Sequence, residues 1–220
     1  ELRAKIAKAK KAFKESNVAI STDGRFPMTP QRILHDVKAV VPEDAHIFTD
    51  VGWNKNGVAQ QFDVNVPGTI HHSSGLATMG FGASAVLGGK LAAPDKVCLT
   101  LTGDGGFGVN PTCLATAVEQ GIACTWVVMN NSAFGTIAGL ENGNYGTKFG
   151  TVFQTPDGKS YSPSWAGVAK AYGVESICVQ SADEFLPAMK KAMAANKEGR
   201  PFLVEAPMEN IVVPTPGCWN

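Results

Sequence analysis

The stretch from Gly103 to Asn131 constrains the fold more than any other part of this sequence. Residues 96–102 are typical of a β-strand, and Asp104 follows at the point where that strand gives way to a helix. Residues 123–129 are apolar and rich in β-branched side chains, as expected of a strand buried on both faces. Open α/β sheets bind ligands at the carboxyl ends of their strands. We therefore expect Asp104 and Asn131 to lie at the same edge of a sheet, one strand apart.

A helix is predicted between these two strands. Asn110 and Pro111 provide a capping residue followed by proline at the first helical position. Residues 112–120 carry apolar side chains at helical spacing, and Gly121 ends the segment. A strand, a helix and a further strand in this order predict a parallel pair.

Gly103, Gly105 and Gly108 match the glycine pattern of dinucleotide-binding loops. Such a match is weak by itself, and two observations count against it. A dinucleotide site needs an acidic residue after the next strand to bind the ribose hydroxyls, whereas that strand ends here in two asparagines. In addition, Asp104 would repel a diphosphate unless a cation lay between them.

A divalent cation resolves this conflict. Mg²⁺ prefers six oxygen ligands at about 2.0–2.1 Å and usually takes only one or two of them from side chains. Asp104, the amide oxygen of Asn131 and one backbone carbonyl would fill half of that shell, and a diphosphate and a water would complete it. The plainer alternative is that Gly-Asp-Gly forms an ordinary turn and Asn-Asn forms the tip of a hairpin, since residues of both kinds favour turns. We prefer the cation because the two motifs occur together at neighbouring strand ends.

The spacing of these motifs resembles the signature of thiamine diphosphate enzymes, in which Gly-Asp-Gly, 25 residues and an Asn follow one another. The order Gly-Asp-Gly-Gly-Phe, Leu-Ala-Thr-Ala-Val and Val-Val-Met-Asn-Asn is similar to the acetolactate synthase and pyruvate oxidase branch. The resemblance implies thiamine diphosphate and Mg²⁺ as cofactors, with the metal held by Asp104, Asn131 and the carbonyl of Ala133. It further implies cofactor contacts from neighbouring residues, namely Gly103, Gly105, Gly106, Phe134 and Gly135.

Two earlier segments extend the resemblance. After a predicted strand at residues 45–50, the family carries Asp-Val-Gly-Gln-His, and here Trp53 and Asn54 replace the last two residues. Gly52 and Asn54 are therefore expected to contact the terminal phosphate. Trp53 is expected either to contribute to the site or to serve as a core or interface aromatic residue.

Residues 69–82 are rich in small side chains, which would allow the backbone to approach a flat ligand closely. They resemble the family segment Ser-Gly-Gly-Leu-Gly-Thr-Met-Gly. By that resemblance, Met79 would bend the cofactor from below, and the Ala77 carbonyl would accept a hydrogen bond from its aminopyrimidine. Without that resemblance, Met79 would be interpreted as an ordinary buried core residue. His71 and His72 are interpreted as structural histidines.

The composition gives no support for a nucleic-acid-binding or membrane-bound function. The 19 basic and 19 acidic side chains cancel, which gives no electrostatic reason to expect nucleic acid or an anionic membrane as a partner. No apolar run approaches the ~20 residues of a membrane-spanning helix. The five cysteines show no C-x-x-C spacing, which favours free thiols and a cytoplasmic location.

The whole chain alternates between helical and strand patterns. Helices are predicted at residues 1–16, 28–41, 79–93, 112–120, 164–172 and 182–196, and strands at residues 45–50, 96–102, 123–129, 174–179 and 201–206. This order predicts an α/β fold: a three-layer, doubly wound, mostly parallel sheet of about six strands. We expect a long glycine-rich loop at residues 132–153, with Phe134, Ile137 and Leu140 lining the substrate cavity and Glu141 nearby, and an irregular tail at residues 211–220.

The resemblance also implies a domain organisation. Residues 1–17 would be a linker helix from a preceding domain, and residues 18–220 the thiamine diphosphate-binding domain, the C-terminal third of a longer enzyme. The glutamate that activates the cofactor in this family belongs to a separate pyrimidine-binding domain, which this sequence does not resemble. The chain alone should therefore be inactive and is expected to act within a homo- or hetero-oligomer.

The expected function is to make or break a C–C bond beside a carbonyl, as in 2-oxoacid decarboxylation or carboligation. One alternative is a C–C hydrolase acting on a cyclic 1,2-dione, because residues 134–140 also look like that branch. A second alternative is a non-catalytic nucleotide-binding module.

Overall fold

A computed structural model describes residues 1–210 of the chain, and the predicted irregular tail lies outside this range. The strands are β1 (His46–Thr49), β2 (Ile70–His72), β3 (Cys98–Gly103), β4 (Thr125–Asn130), β5 (Glu175–Cys178) and β6 (Phe202–Pro207). They form one sheet of order β2-β1-β3-β4-β6-β5 in which all neighbours are parallel. The predicted doubly wound α/β fold is confirmed.

Helices cover both faces of the sheet. They are α1 (Leu2–Ser21), α2 (Pro30–Val40), α3 (Trp53–Gln61), α4 (Phe81–Ala92), α5 (Asp104–Phe107), α6 (Cys113–Glu119), α7 (Gly135–Tyr145), α8 (Trp165–Ala171) and α9 (Ala182–Lys197). Apolar side chains of α2, α3 and α9 form a core on one face, and those of α4, α6 and α8 form a core on the other. The fold therefore has three layers.

Strand β4 shows why its sequence is apolar throughout. Val127 and Met129 pack into the core beneath α2 and α9, whereas Trp126 and Val128 pack into the opposite core. The Trp126 indole donates a hydrogen bond to the carbonyl oxygen of Ala83 in α4 at 2.9 Å, so its only polar atom is satisfied. A strand buried on both faces needs such residues at every position.

Several helix starts follow the sequence signals. Thr29 caps α2 by accepting a hydrogen bond from the Arg32 amide at 3.1 Å, with Pro30 as the first helical residue. The predicted cap at Asn110 and Pro111 is wrong, because α6 begins at Cys113. The Asn110 side chain instead donates to Ser84 Oγ at 2.7 Å, which joins this turn to α4.

Several helices and strands were not predicted from the sequence. Helix α3 and strand β2 were not predicted, and the predicted loop at residues 132–153 contains the 11-residue helix α7. Helix α7 includes three glycines and carries no apolar stripe, whereas β2 has only three residues. Helix α1 continues to Ser21, beyond the linker boundary expected at residue 17, with Leu2 and Ile6 exposed.

The topology places one crevice at the carboxyl edge of the sheet. The chain leaves β1 through α3 on one face and leaves β3 through α5 and α6 on the other face. Because these neighbouring strands send their connections in opposite directions, the turns after them separate. Ligands of open α/β sheets bind at such a point.

Candidate cofactor and metal site

A cleft of about 510 Å³ opens at this point, between the turns that follow β1, β3 and β4. Most of the predicted cofactor-binding residues line it: Gly52, Asn54, Met79, Gly103, Gly105, Gly106, Asn131, Ala133, Phe134 and Gly135. Residues that sequence analysis did not assign to the site also line it: Val51, Met129, Thr136 and Met208. Trp53 both lines the cleft and packs into the core beneath it, so the two interpretations of this residue hold together.

Three oxygen atoms converge beside the cleft. The side-chain oxygen of Asn131 lies 3.0 Å from the carbonyl oxygen of Ala133 and 3.0 Å from Asp104 Oδ1. These contacts would be hydrogen bonds only if the Asn131 amide were turned by half a rotation, which would place its oxygen 3.3 Å from Asn210 Oδ1. In the observed orientation, Asn131 Nδ2 donates to Asn210 Oδ1 at that distance. In this orientation the Asn131 oxygen lies beside two other oxygens, whereas the turned amide would donate to both of them and lose its bond to Asn210.

This spacing suits a divalent cation. Adjacent ligands of an octahedral Mg²⁺ site with bonds of about 2.0–2.1 Å are separated by about 2.9 Å. The two measured separations are close to that value. Among residues 1–210 there is no group of three or more His, Cys, Asp or Glu side chains that could hold a metal. The oxygens of one carboxylate, one carboxamide and one carbonyl would therefore have to supply the protein ligands here.

The Asp104 carboxylate is buried and incompletely hydrogen-bonded. Only 1 % of the residue is exposed, Oδ2 has no partner, and Oδ1 accepts one long hydrogen bond, from the Asn131 amide at 3.4 Å. Burial raises the pKa of Asp104 to about 6, although backbone N–H groups partly oppose this shift. A nearby cation would stabilise the ionised form and offset the cost of burial.

A backbone turn after β4 brings two of the oxygens together. Ser132 has a φ of 53°, in the left-handed region that non-glycine residues rarely adopt. The chain therefore reverses between Asn131 and Ala133, which places the Asn131 side-chain oxygen 3.0 Å from the Ala133 carbonyl oxygen and 3.0 Å from Asp104 Oδ1. The Phe134 amide donates to the Thr151 carbonyl at 2.9 Å and the Phe153 amide donates to the Ser132 carbonyl at 2.8 Å, which anchors the turn.

Two glycines are required for the walls of the cleft. A Cβ at Gly105 would lie 2.6 Å from the Phe134 ring, and a Cβ at Gly135 would lie 2.6 Å from Asn131 Nδ2. Side chains at these positions would displace the aromatic wall and the Asn131 amide. The glycine content of this sequence region thus has a geometric cause.

Two helices begin at the cleft. Trp53 and Asn54, in the first turn of α3, and Gly135, Thr136 and Ile137, in the first turn of α7, line it. The free N–H groups and the dipole at helix N-termini favour anions. Asn54 is buried, with Nδ2 bonded to the Val51 carbonyl at 3.0 Å and Oδ1 without a partner.

Ala77 is not among the residues that line the cleft. It has a φ of 49° and lines a separate cavity together with residues of β1, α3 and β2, whereas Met79 lines the cleft itself. His71 is not a cleft residue: its Nε2 lies 2.9 Å from His46 Nδ1, and its ring stacks on Phe48. His72 is exposed and lines the same separate cavity as Ala77.

The predicted substrate residues after β4 divide in two. Phe134 and Ile137 line the cleft, whereas Leu140 is 62 % exposed. Glu141 accepts a hydrogen bond from Thr151 Oγ1 at 3.1 Å, which makes it part of the packing of this segment.

Sequence analysis missed Asp50, which organises the turns around the cleft. Its buried carboxylate accepts hydrogen bonds from the amides of Val51 at 2.9 Å, Gly80 at 3.2 Å and Gly82 at 3.0 Å. A Cβ at Gly106 would lie 2.5 Å from its Oδ1. The available signal was an Asp at a strand end with Gly80, Gly82 and Gly106 in two later segments.

Comparison with known proteins agrees with this geometry. Residues 50–206 match the family model described as "Thiamine pyrophosphate enzyme, C-terminal TPP binding domain". A probable acetolactate synthase large subunit of Methanocaldococcus jannaschii is 32% identical over 87% of this chain and 32% of its own length. A 3D-(3,5/4)-trihydroxycyclohexane-1,2-dione hydrolase of Bacillus velezensis is 30% identical over 72% of this chain and 25% of its own length.

A solved structure of a thiamine diphosphate-dependent enzyme is also similar to this chain. The thiamine diphosphate-dependent 4-hydroxybenzoylformate decarboxylase of Rhodococcus jostii RHA1 superposes with a TM-score of 0.72 at 25% identity, covering 84% of this chain and 33% of that chain. This chain thus spans about a third of the length of the relatives that it matches. Among residues 1–210, every helix is too short or too polar to cross a bilayer. The match over residues 50–206 covers most of the sequence, and the chain belongs to the family of C-terminal thiamine pyrophosphate-binding domains of thiamine pyrophosphate enzymes.

Proposed function

We propose that this chain binds the diphosphate of thiamine diphosphate through Mg²⁺ held by Asp104, Asn131 and the carbonyl oxygen of Ala133. The observation that carries the proposal is that the side-chain oxygen of Asn131 lies 3.0 Å from both Asp104 Oδ1 and the carbonyl oxygen of Ala133. The unpaired Oδ2 of Asp104 supports it, since a buried carboxylate oxygen without a partner costs stability unless a ligand satisfies it.

The cleft has a further property expected of a diphosphate site that uses a metal. No lysine, arginine or histidine is found among the described residues that line it. The negative charge of a diphosphate would therefore have to be balanced by the cation and by the N-termini of α3 and α7. Gly52, with a φ of 101°, begins α3 and leaves the approach to its N-terminus free of a side chain.

The cofactor would supply a thiazolium carbon that attacks a substrate carbonyl and accepts the electrons of a breaking C–C bond. The residues of this chain would bind and orient it: Met79, Phe134 and Met129 present apolar surface in the cleft, and the Ala77 carbonyl remains our prediction for the aminopyrimidine contact. The cleft-lining residues that are described include no Asp or Glu. We infer that the activating glutamate comes from a pyrimidine-binding domain or subunit, so that the active unit is a homo- or hetero-oligomer.

We infer an enzyme that acts on a small carbonyl substrate, with 2-oxoacid decarboxylation or carboligation as the first candidate. The similarity to the acetolactate synthase relative supports it. Hydrolysis of a cyclic 1,2-dione is the second candidate, and the similarity to the dione hydrolase supports it. Product analysis of the complete enzyme with pyruvate and with a cyclic 1,2-dione distinguishes the two. The matched family favours thiamine diphosphate over a nucleotide.

A cytoplasmic setting is part of this proposal. The four cysteines among residues 1–210 are free thiols, and three of them are buried. Burial raises the pKa of Cys113 to about 11, so this thiol stays protonated and unreactive at neutral pH.

Calorimetry on the intact protein tests the binding proposal. We expect thiamine diphosphate to bind with Mg²⁺ and to be released by EDTA, and Asp104→Ala to abolish this metal-dependent retention. Asp157→Ala is the matched control, because Asp157 is exposed and pairs with Lys159 at the surface. Retention that is unchanged in Asp104→Ala, or tighter binding of NAD than of thiamine diphosphate, would contradict the proposal.

A further inference from the structure

A second buried carboxylate lies on the neighbouring strand, behind the turn that carries Asn131. Glu205 of β6 is only 3 % exposed, and no lysine, arginine or histidine within residues 1–210 forms an ion pair with it. Its two oxygens are used separately. Oε1 accepts a hydrogen bond from Asn130 Nδ2 at 2.8 Å, and Oε2 accepts one from the Ala166 amide at 2.8 Å, in the first turn of α8.

This arrangement fixes the Asn130 side chain. Both oxygens of Glu205 act as acceptors, so Asn130 turns its Nδ2 toward Glu205 and its Oδ1 away. Asn130 Oδ1 then accepts a hydrogen bond from the Ser132 amide at 3.2 Å. A continuous chain of hydrogen bonds thus runs from the start of α8 through Glu205 and Asn130 to Ser132.

Ser132 is the residue that needs support. Its φ of 53° is unfavourable for a residue with a side chain, and such a conformation persists only where surrounding contacts hold it. It is also the residue between Asn131 and Ala133, whose side-chain and carbonyl oxygens lie 3.0 Å apart beside Asp104. Any relaxation of this turn would separate the three oxygens.

We propose that Glu205 is a positioning residue that holds this turn through Asn130 and thereby sets the metal affinity of the site. The metal part of the inference rests on the proposed function. Glu205 would not touch the metal or the cofactor. Hydrogen-bond partners behind metal ligands commonly affect metal affinity by ~10–100-fold.

The chemistry requires a carboxylate at this position. A glutamine could accept from Asn130 with its one oxygen, but its NH₂ group would then face the Ala166 N–H, donor against donor. The opposite rotamer would present NH₂ to Asn130 and rotate the Asn130 amide, which would remove the acceptor from Ser132. Glu205→Gln therefore alters the turn with almost no change in side-chain volume.

The first experiment uses calorimetry to measure the apparent Mg²⁺ affinity of the intact protein in saturating thiamine diphosphate. We expect Glu205→Gln to weaken it by ~10–100-fold. Glu175→Gln is the matched control, because Glu175 lies on β5 of the same sheet but pairs at the surface with Lys191 at 2.9 Å. Adding Ser132→Gly to Glu205→Gln should restore the Mg²⁺ affinity, since glycine adopts positive φ without support, whereas a general loss of packing would not be rescued.

The second measurement does not depend on a bound cofactor. Amide hydrogen exchange across residues 130–134 should be faster in Glu205→Gln than in the wild type and unchanged in Glu175→Gln. An unchanged Mg²⁺ affinity, unchanged exchange in this segment, or failure of Ser132→Gly to rescue would overturn the inference. If the wild type shows no Mg²⁺-dependent retention, the proposed function fails, and the exchange measurement still decides whether Glu205 holds the turn.

Discussion

Asp50 and Asp104 end neighbouring strands of the sheet and are equally buried, yet their surroundings differ in one respect. Both oxygens of Asp50 are hydrogen-bonded, to three backbone amides in all. Asp104 has one oxygen without a partner and one that accepts a long hydrogen bond. Backbone amides satisfy the Asp50 carboxylate, whereas one oxygen of the Asp104 carboxylate remains available to a ligand.

The difference shows that burial by itself does not mark a functional carboxylate. Asp50 joins the end of β1 to the start of α4 because it accepts from the Gly80 and Gly82 amides. The Asp104 Oδ1 atom lies 3.0 Å from the side-chain oxygen of Asn131, which in turn lies 3.0 Å from the carbonyl oxygen of Ala133. We therefore propose a structural role for Asp50 and a ligand-binding role for Asp104, and three variants test this distinction.

Removing the Asp50 carboxylate should have the largest effect on stability. Asp50→Ala leaves three buried N–H groups without an acceptor, and we expect the free energy of unfolding to fall by about 4 kcal/mol. Urea denaturation of the intact protein measures this loss. Asp50→Asn retains one acceptor oxygen, and its free energy of unfolding should lie between those of Asp50→Ala and the wild type. Equal stability of Asp50→Ala and the wild type would show that Asp50 does not stabilise the fold.

The same kind of change at Asp104 should have the opposite sign. In the absence of divalent cations, Asp104→Asn should raise the free energy of unfolding at pH 7 by up to about 3 kcal/mol, because a neutral amide avoids burying a charge. The Asp104 pKa is raised from 3.8 to about 6, so the folded state binds more protons than the unfolded state between these values. The wild type should therefore lose stability as the pH rises from about 4 to about 6, and Asp104→Asn should lack this slope. Denaturation in EDTA across this pH range is the measurement, and a variant less stable than the wild type under these conditions would argue that Asp104 is structural.

The smallest effect is expected at the residue where the two regions touch. Gly106 follows Asp104 in α5, but a Cβ there would lie 2.5 Å from Asp50 Oδ1. Gly106→Ala should cost about 2 kcal/mol through overpacking against a carboxylate that cannot move away from its three donors. Gly88→Ala in α4, where a Cβ meets nothing within 4 Å, is the control and should gain about 0.5–1 kcal/mol. Thermal unfolding of both variants compares them directly, and a neutral Gly106→Ala would show that Asp50 is not rigidly held.

Local sequence signals were sufficient for the centre of the fold. Strands β3 and β4 have apolar runs that can only be buried, and the turn residues after them carry Asp104 and Asn131. The elements that were missed lack such signals: α7 contains glycines at regular intervals, and β2 is a three-residue edge strand. Their conformation depends on neighbours that are distant in the sequence.

The same limit applied to the site. The residues that we propose as metal ligands lie next to strong strand patterns and could be named from the sequence, whereas the contacts of Asp50 and Glu205 could not. Asp50 accepts hydrogen bonds from the Gly80 and Gly82 amides, 30 and 32 residues away along the chain, and Glu205 accepts one from Asn130, 75 residues away. No periodicity records a hydrogen bond of that separation.

The sequence alone predicted most of the strands and helices in their order, and the types of oxygen that would meet at one edge of the sheet. It did so because burial on two faces demands a recognisable run of apolar residues, and because polar residues directly after parallel strands must emerge together. Only the tertiary structure decided which buried oxygens would be satisfied by backbone amides and which would be left facing one another. Hydrogen-bond satisfaction depends on groups from several segments at once, so Asp50 and Asp104 become distinguishable only when those segments are packed.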